Sequence, residues 1–395
     1  MSRACVNNMG NEETTTVFAG IDGRADASLP AWYEQRHSEA EVVSFAEAIR
    51  DLPRAEESEV AFKNPYSGKW VSTERFNAIV EPTRLAAQVD GETVDSLFHI
   101  PTDSYAIINP MDVYGPLEAV IQEETLGGRA LGDVLFGEIR QYRGGGEVHM
   151  DILFDGLSVT LPGRNEPITV GMSSGYDFFG GHAVYVEGFA QDSYCSNSIR
   201  ALTDRRSIKH VGDVGSFEDW WEQLLGQLDI VANDLHAFIT DAQKVTLDLR
   251  EVPFDVETFY TLLSFPEYLA RRAASDARAE AADPFEIDMW TLHSGATHAL
   301  THFYTGKEGS SLGQYVRTAN DMLFNPQATL ARITDEYKRQ AAAETGGDGQ
   351  TGLGSQVALA QIERVEQDVR EKAEEFEQRE ATLRERFAEV AESEL

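Results

Sequence analysis

Between Val148 and His210 apolar and polar residues alternate in a way that predicts a sheet. Val148, Met150, Ile152 and Phe154 recur with a period of two, with His149 and Asp151 between them, as in a half-buried strand. Asp155-Gly156 is a strong hairpin signal, and Leu157, Val159 and Leu161 form one face of a return strand. Pro162-Gly163-Arg164-Asn165 interrupts the pattern. Ile168, Val170 and Met172 resume it as far as Ser173-Ser174-Gly175. A glycine-aromatic turn, Tyr176 to Gly181, leads to a last strand from His182 to Phe189, and Val134 to Tyr142 supplies one upstream. Short connections make an antiparallel sheet of about five strands the economical topology.

From Phe217 the period becomes helical. Trp221, Leu224, Leu225, Leu228, Val231 and Leu235 share a face. Further helices are expected over Val256–Leu263, Glu267–Ala281, from Pro284 through Leu300, and over Leu312–Phe324, with Asn325-Pro326 as a stop. Upstream, Ser104 to Asn109 reads as a strand stopped by Pro110, followed by a helix through Leu117, Val120 and Ile121 that Gly127-Gly128 ends. Asn64 to Lys69 is a turn into a short strand at Trp70-Val71, and Glu39 to Ile49 is one helix candidate in a polar region. The expected fold is α+β: an antiparallel sheet core with flanking helices, then a mainly helical region and a long C-terminal helix. Its divisions are a polar segment at 1–60, the sheet core at 61–215, the helical region at 216–340, a glycine-rich linker at 341–355 and a charged helix at 356–395.

That last helix carries Ile362, Val369, Phe376, Leu383 and Val390 at seven-residue spacing. The companion seam fails, because Val365 is followed by Lys372, Arg379 and Arg386, whereas a sustained coiled coil needs both seams apolar. A helix that self-associates weakly, docks on a partner or stands alone in solvent fits the pattern.

Charge changes the picture most. The formal net charge is -34 and only seven lysines are present. The acids are spread over the whole length, with ordinary aromatic content, which suits a folded protein of a cytoplasm at molar salt, the alternative being a generally acidic mesophilic protein. Screening lengths fall at molar salt to about 3 Å. Cys5 and Cys195 form no disulfide framework and no zinc set, as suits a reducing compartment. No secretory leader pattern and no apolar run of about 20 residues is present, so no membrane partner is expected.

Candidate chemistry is sparse. His293, His298 and His302 fall on one expected helix, the last two at i, i+4, but without the acidic residue of the metalloprotease pattern. Gly171 to Gly175 and Gly309 to Gly313 match the nucleophile-elbow spacing without its strand-to-helix context. Gly347-x-Gly349-x-x-Gly352 lies in the linker with no strand before it. No catalytic residue, metal or cofactor is assigned, and an enzyme would need a site assembled from scattered residues such as His149, Asp151 and His182. The exception to the acidity is Arg200, Arg205, Arg206 and Lys209, within ten residues. They either balance nearby carboxylates or line a groove for nucleic acid. In the second reading Arg140 and Arg143 add charge from the sheet edge, and Tyr176 and Phe178 supply stacking faces for a single strand.

Several of these stretches resemble the phage/plasmid-like proteins called domain of unknown function 932. They are Ser104 to Asn109, Gly127-Gly128, Tyr194-Cys195-Ser196-Asn197, and Trp290-x-Leu292-x-x-Gly295-Ala296-Thr297-x-x-Leu300-Thr301-His302, where Gly295 replaces the family's usual asparagine. The resemblance spans roughly Trp70 to Pro326. It implies a mobile-element setting and no defined activity. The order of helix, antiparallel strands and basic helix is also similar to single-strand annealing proteins of the Red-beta type, which implies binding or annealing of single-stranded nucleic acid. A structural or interaction protein, recruiting a partner through 356–395, is the competing class.

The charge makes the first prediction. Melting temperature should fall as KCl is lowered from molar to millimolar, because carboxylate repulsion is then unscreened. An unchanged melting temperature would contradict it.

Overall fold

The structure is a computed structural model. It describes residues 14–21, 41–83, 97–102, 104–123, 125–126, 129–130, 135–160, 167–181, 183–192, 198–200, 202–203, 206–209, 217–305 and 310–344, with short stretches between 356 and 387. In chain order the elements are β1 (Thr14–Ala19), β2 (Val42–Val43), α1 (Phe45–Arg50), β3 (Glu56–Lys63), β4 (Trp70–Val80), β5 (Leu97–His99), α2 (Pro110–Glu123), β6 (Thr125–Leu126), β7 (Arg129–Ala130), β8 (Leu135–Tyr142), β9 (Glu147–Thr160), β10 (Pro167–Asp177), β11 (Val184–Asp192), β12 (Ser198–Ile199) and β13 (Arg206–Ile208). Then come α3 (Glu218–Ala242), β14 (Thr246–Asp248), α4 (Val256–Leu262), α5 (Glu267–Glu280), β15 (Glu286–Asp288), α6 (Met289–Phe303), α7 (Ser310–Phe324) and α8 (Pro326–Glu344). The fold is α+β. Among the described residues no helix is long and apolar enough to cross a membrane.

Packing divides the chain into two compact units. The first takes Met1–Leu157, Val170–Gly188 and Thr203–Leu228; the second takes Ser158–Thr169, Phe189–Leu202 and Asp229–Leu395. The large sheet has the order β12-β11-β10-β9-β8-β1-β2, with β13 also paired to β11. In the first unit β8 runs antiparallel to both β9 and β1, while β2 joins β1 in parallel. The hairpin expected at Asp155-Gly156 is absent, for β9 continues straight through both residues. Ser173-Ser174-Gly175 likewise lies inside β10, which removes any nucleophile elbow there. One cause accounts for both corrections. Every residue from Ile168 to Phe178 is buried, as are Ile152, Leu153 and Phe154, so the central strands are covered on both faces. Continuing a strand through that layer buries more apolar area than reversing it, and local turn preference gives way.

The polar residues of these strands are held by side-chain bonds. The Ser174 hydroxyl donates to the Tyr185 carbonyl at 2.7 Å and lies 3.1 Å from the Tyr114 hydroxyl of α2. Trp221, fully buried, donates its indole N–H to the Val113 carbonyl at 2.7 Å. Ser104 to Asn109 is no strand. Instead the Asn109 side chain bonds the Ala55 backbone twice, through Ala55 N–H (2.8 Å) and carbonyl (3.2 Å), taking the place of a strand neighbour.

The second unit is mostly helical, with the β14–β15 ladder at its side. The helix expected from Pro284 starts later, at Met289. Ile287 pairs with Leu247 in that ladder, and the Asp288 carboxylate then caps the helix by accepting from Thr291 N–H at 2.8 Å. Pro326 opens α8 instead of ending the helical region, its missing N–H costing nothing at a first turn. At Gly295 the helices α5 and α6 touch: a Cβ there would stand 2.5 Å from the Ala273 carbonyl oxygen. The asparagine of the resembled family does not fit this spacing. A continuous helix over 356–395 lies largely outside the described residues.

His293, on α6, is fully buried, and among the described residues neither ring nitrogen makes a hydrogen bond of good geometry. Burial pushes its pKa down to about 4, against a smaller upward pull from Asn320. Unfolded, the ring takes up its proton near the ordinary 6.5, so stability is lost as pH falls from about 6.5 towards about 4. The loss amounts to about 3 kcal/mol at 1.36 kcal/mol per unit. Chemical denaturation across that range should give a shallower acid decline for His293→Leu than for wild type. Parallel declines would remove His293 as the cause.

Candidate nucleic-acid interface

The sheet residues proposed as stacking faces are core residues. Tyr176 and Phe178 are 1% and 0% exposed, and Phe178 packs against Tyr176 and Phe98 with ring centroids 5.0 and 5.2 Å apart. Burial holds the Tyr176 phenol well above its ordinary pKa. Neither ring has a face to offer a base, and this part of the expectation is corrected.

Two of the cations nearby, Arg140 and Arg143, are occupied. Arg140 donates to Asp151 at 2.8 Å and lies 3.7 Å from Glu138. Arg143, in the turn after β8, places its guanidinium 3.3 Å from the centroid of the Phe179 ring, with Glu147 at 4.0 Å. Arg200 is half-buried in the second unit, where its carbonyl accepts from the Asn320 amide at 2.6 Å. Lys209 is exposed after β13. Arg205 and the Arg206 side chain lie outside the described residues, as do Tyr194 and His182.

The histidines serve packing as well. His149 sits with one nitrogen 3.0 Å from the Tyr185 hydroxyl and the other 3.4 Å from Glu147. His298 pairs with Asp276 at 2.5 Å, its ring centroid 4.6 Å from that of His302. Among the described residues no group of three or more side chains is placed to hold a metal.

Exposed aromatics gather elsewhere, on the β3–β4 hairpin of the first unit. Trp70 is 70% exposed, Tyr66 98% and Phe62 53%; with Val71 they make up four of the ten exposed large apolar side chains among the described residues. The base of the hairpin is anchored by buried Ala78, Ile79 and Val80. Between Glu59 and Val60 the register shifts, leaving Glu74, Arg75 and Phe76 as extra residues on β4. Past that shift the ribbon is exposed or half-exposed on both faces.

The tip is built firmly. Asn64 N–H donates to the Lys69 carbonyl at 2.8 Å, and its side-chain oxygen accepts from Tyr66 N–H (2.9 Å) and Ser67 N–H (3.1 Å), with Gly68 at φ 67° closing the turn. Register sets Lys63 opposite Trp70 and Phe62 opposite Val71, so one face pairs a cation with an indole and the other is apolar. From Val60 to Thr73 no carboxylate occurs, while two of the seven lysines do, Lys63 and Lys69. Neither makes an ion pair among the described residues.

The chain matches no family model, no curated protein and no solved structure. The phage/plasmid-like resemblance therefore rests on its motifs alone. The sequence held two signals for the hairpin: the acid-free window and the Asn64–Gly68 turn between lysines.

Proposed function

We propose that this chain is a non-enzymatic single-stranded nucleic-acid-binding protein of a phage- or plasmid-like element, acting in the cytoplasm of a high-salt host, and that the β3–β4 arm is its binding surface. One observation carries the reading: three exposed aromatic rings with two lysines on the carboxylate-free stretch from Val60 to Thr73. A polyanion is repelled by most of a surface that carries a net charge of -34. In molar salt phosphate attraction is weak, which leaves stacking as the main source of affinity. Base–aromatic stacking contributes ~1–3 kcal/mol per base and tolerates any sequence. Trp70 and Tyr66 supply such faces, and Lys63 and Lys69 sit where a backbone would pass. Replication or recombination, including annealing, is the setting that the family resemblance implies.

The test is a fluorescence anisotropy titration with a labelled 20-nucleotide single strand in molar KCl. Tyr66→Ala with Trp70→Ala should weaken binding by roughly 30-fold, about 2 kcal/mol for two stacked bases. Lys63→Ala with Lys69→Ala should cost only a few-fold there and more as salt is lowered. Arg205→Ala with Arg206→Ala should leave affinity unchanged. No binding by folded wild type rejects the function, and a loss confined to the Arg205/Arg206 pair moves the site to the basic segment.

A further inference from the structure

Within the second unit, the last turns of α3 present Val231, Leu235 and Phe238 as one stripe. Together with Leu202 and Phe324 of α7 they line an apolar groove, in which Phe238 and Phe324 meet edge to face at 5.1 Å. The groove is occupied by the chain's own C-terminal segment. Leu383 lines it, and Leu383 and Phe387, at i, i+4, are only 9% and 7% exposed. Beside them Arg386 bonds Asp234 of α3 at 2.6 Å. A second tie joins Glu363 to Lys338 of α8 at 3.2 Å.

This contact explains the failed heptad seam. Arg386 belongs to the row of cations that spoils a coiled coil, and it is the residue that reaches Asp234. Phe387 lies off the apolar seam yet is buried in the unit. The segment's pattern thus matches the α3 groove better than it matches a copy of itself.

We propose that this groove is an exchangeable helix-docking site and that a second copy's C-terminal segment is its alternative occupant, so that the chain self-associates by swapping tails, without forming a coiled coil. The described part of the contact consists of the Leu383 and Phe387 side chains and two ion pairs, Arg386 with Asp234 and Glu363 with Lys338. Gly346 to Ser355 carries five glycines in ten residues, the composition of a linker. A tether of that kind holds the segment at an effective concentration in the millimolar range. Docking within one chain therefore dominates at micromolar protein, and exchange grows as protein concentration approaches that range.

The probe is a labelled peptide covering residues 376–395, titrated into full-length protein at fixed molar KCl. It should bind full-length Leu383→Glu/Phe387→Glu, whose own tail no longer fits, at least about ten-fold more tightly than wild type, whose groove is filled. Circular dichroism establishes that the variant is folded. A peptide carrying Arg386→Glu should bind about threefold less tightly, and Asp234→Arg in the receiving protein should restore it. Wild-type full-length protein should dimerise on concentration, and Asp234→Arg alone should weaken that dimer. Equal peptide binding to both proteins, no binding to the folded variant, or a dimer indifferent to Asp234→Arg would each overturn the proposal, the last in favour of a coiled coil.

Discussion

Repulsion among carboxylates is the constraint under which everything else in this protein operates. With a net charge of -34, acids that enter the sheet must be neutralised or bonded, and the structure does this in place: Arg140 bridges Glu138 and Asp151, and Glu147 lies against both Arg143 and His149. Arg140 and Arg143 are thereby committed to the protein's own acids and to the Phe179 ring. The arm differs in kind. Its lysines face no carboxylate among the described residues, and its rings are bare on a ribbon exposed on both faces. An isolated two-stranded ribbon gains little stability from such exposure, so its aromatics call for a function other than packing.

Most of the helices from Phe217 onward were legible because a 3.6-residue period survives the details of tertiary packing, but α8 was not, since Pro326 looked like a stop. Trp221 to Leu235 and Met289 to Leu300 bury the residues that the period marks. Strand limits were harder. Asp155-Gly156 and Ser173-Ser174-Gly175 have strong local turn chemistry, but both lie in strands covered on two faces, where burial outweighs it. The glycine-aromatic run after β10 misled in the opposite direction. Glycine beside phenylalanine suggested an open loop with rings on display. In fact Phe178 is buried against Tyr176 and Phe98, and Phe179 packs so closely on the β8–β9 turn that a Cβ at Gly146 would stand 2.4 Å from its ring.

The turn and the start of β4 at Trp70-Val71 were legible, but the β3 side of the arm was not, for a related reason. Glu56-Glu57-Ser58-Glu59 has no apolar alternation and resembles a solvated tail, yet it is paired residue for residue with Asn77 to Val80. Strand formation there comes from the partner strand and the anchored base, which no local window contains. The C-terminal segment shows the same dependence. Its cationic seam looked like a defect until Asp234 supplied the partner. In both cases, residues that looked wrong for a lone element are accounted for by something distant in sequence.

Photo-crosslinking tests the central claim most directly. A single strand carrying 5-iodouracil would be bound in molar KCl, irradiated, and the attached peptides mapped by mass spectrometry. The account predicts adducts on Tyr66 and Trp70. Adducts confined to residues 200–209, or none from folded protein at saturating strand, would contradict it.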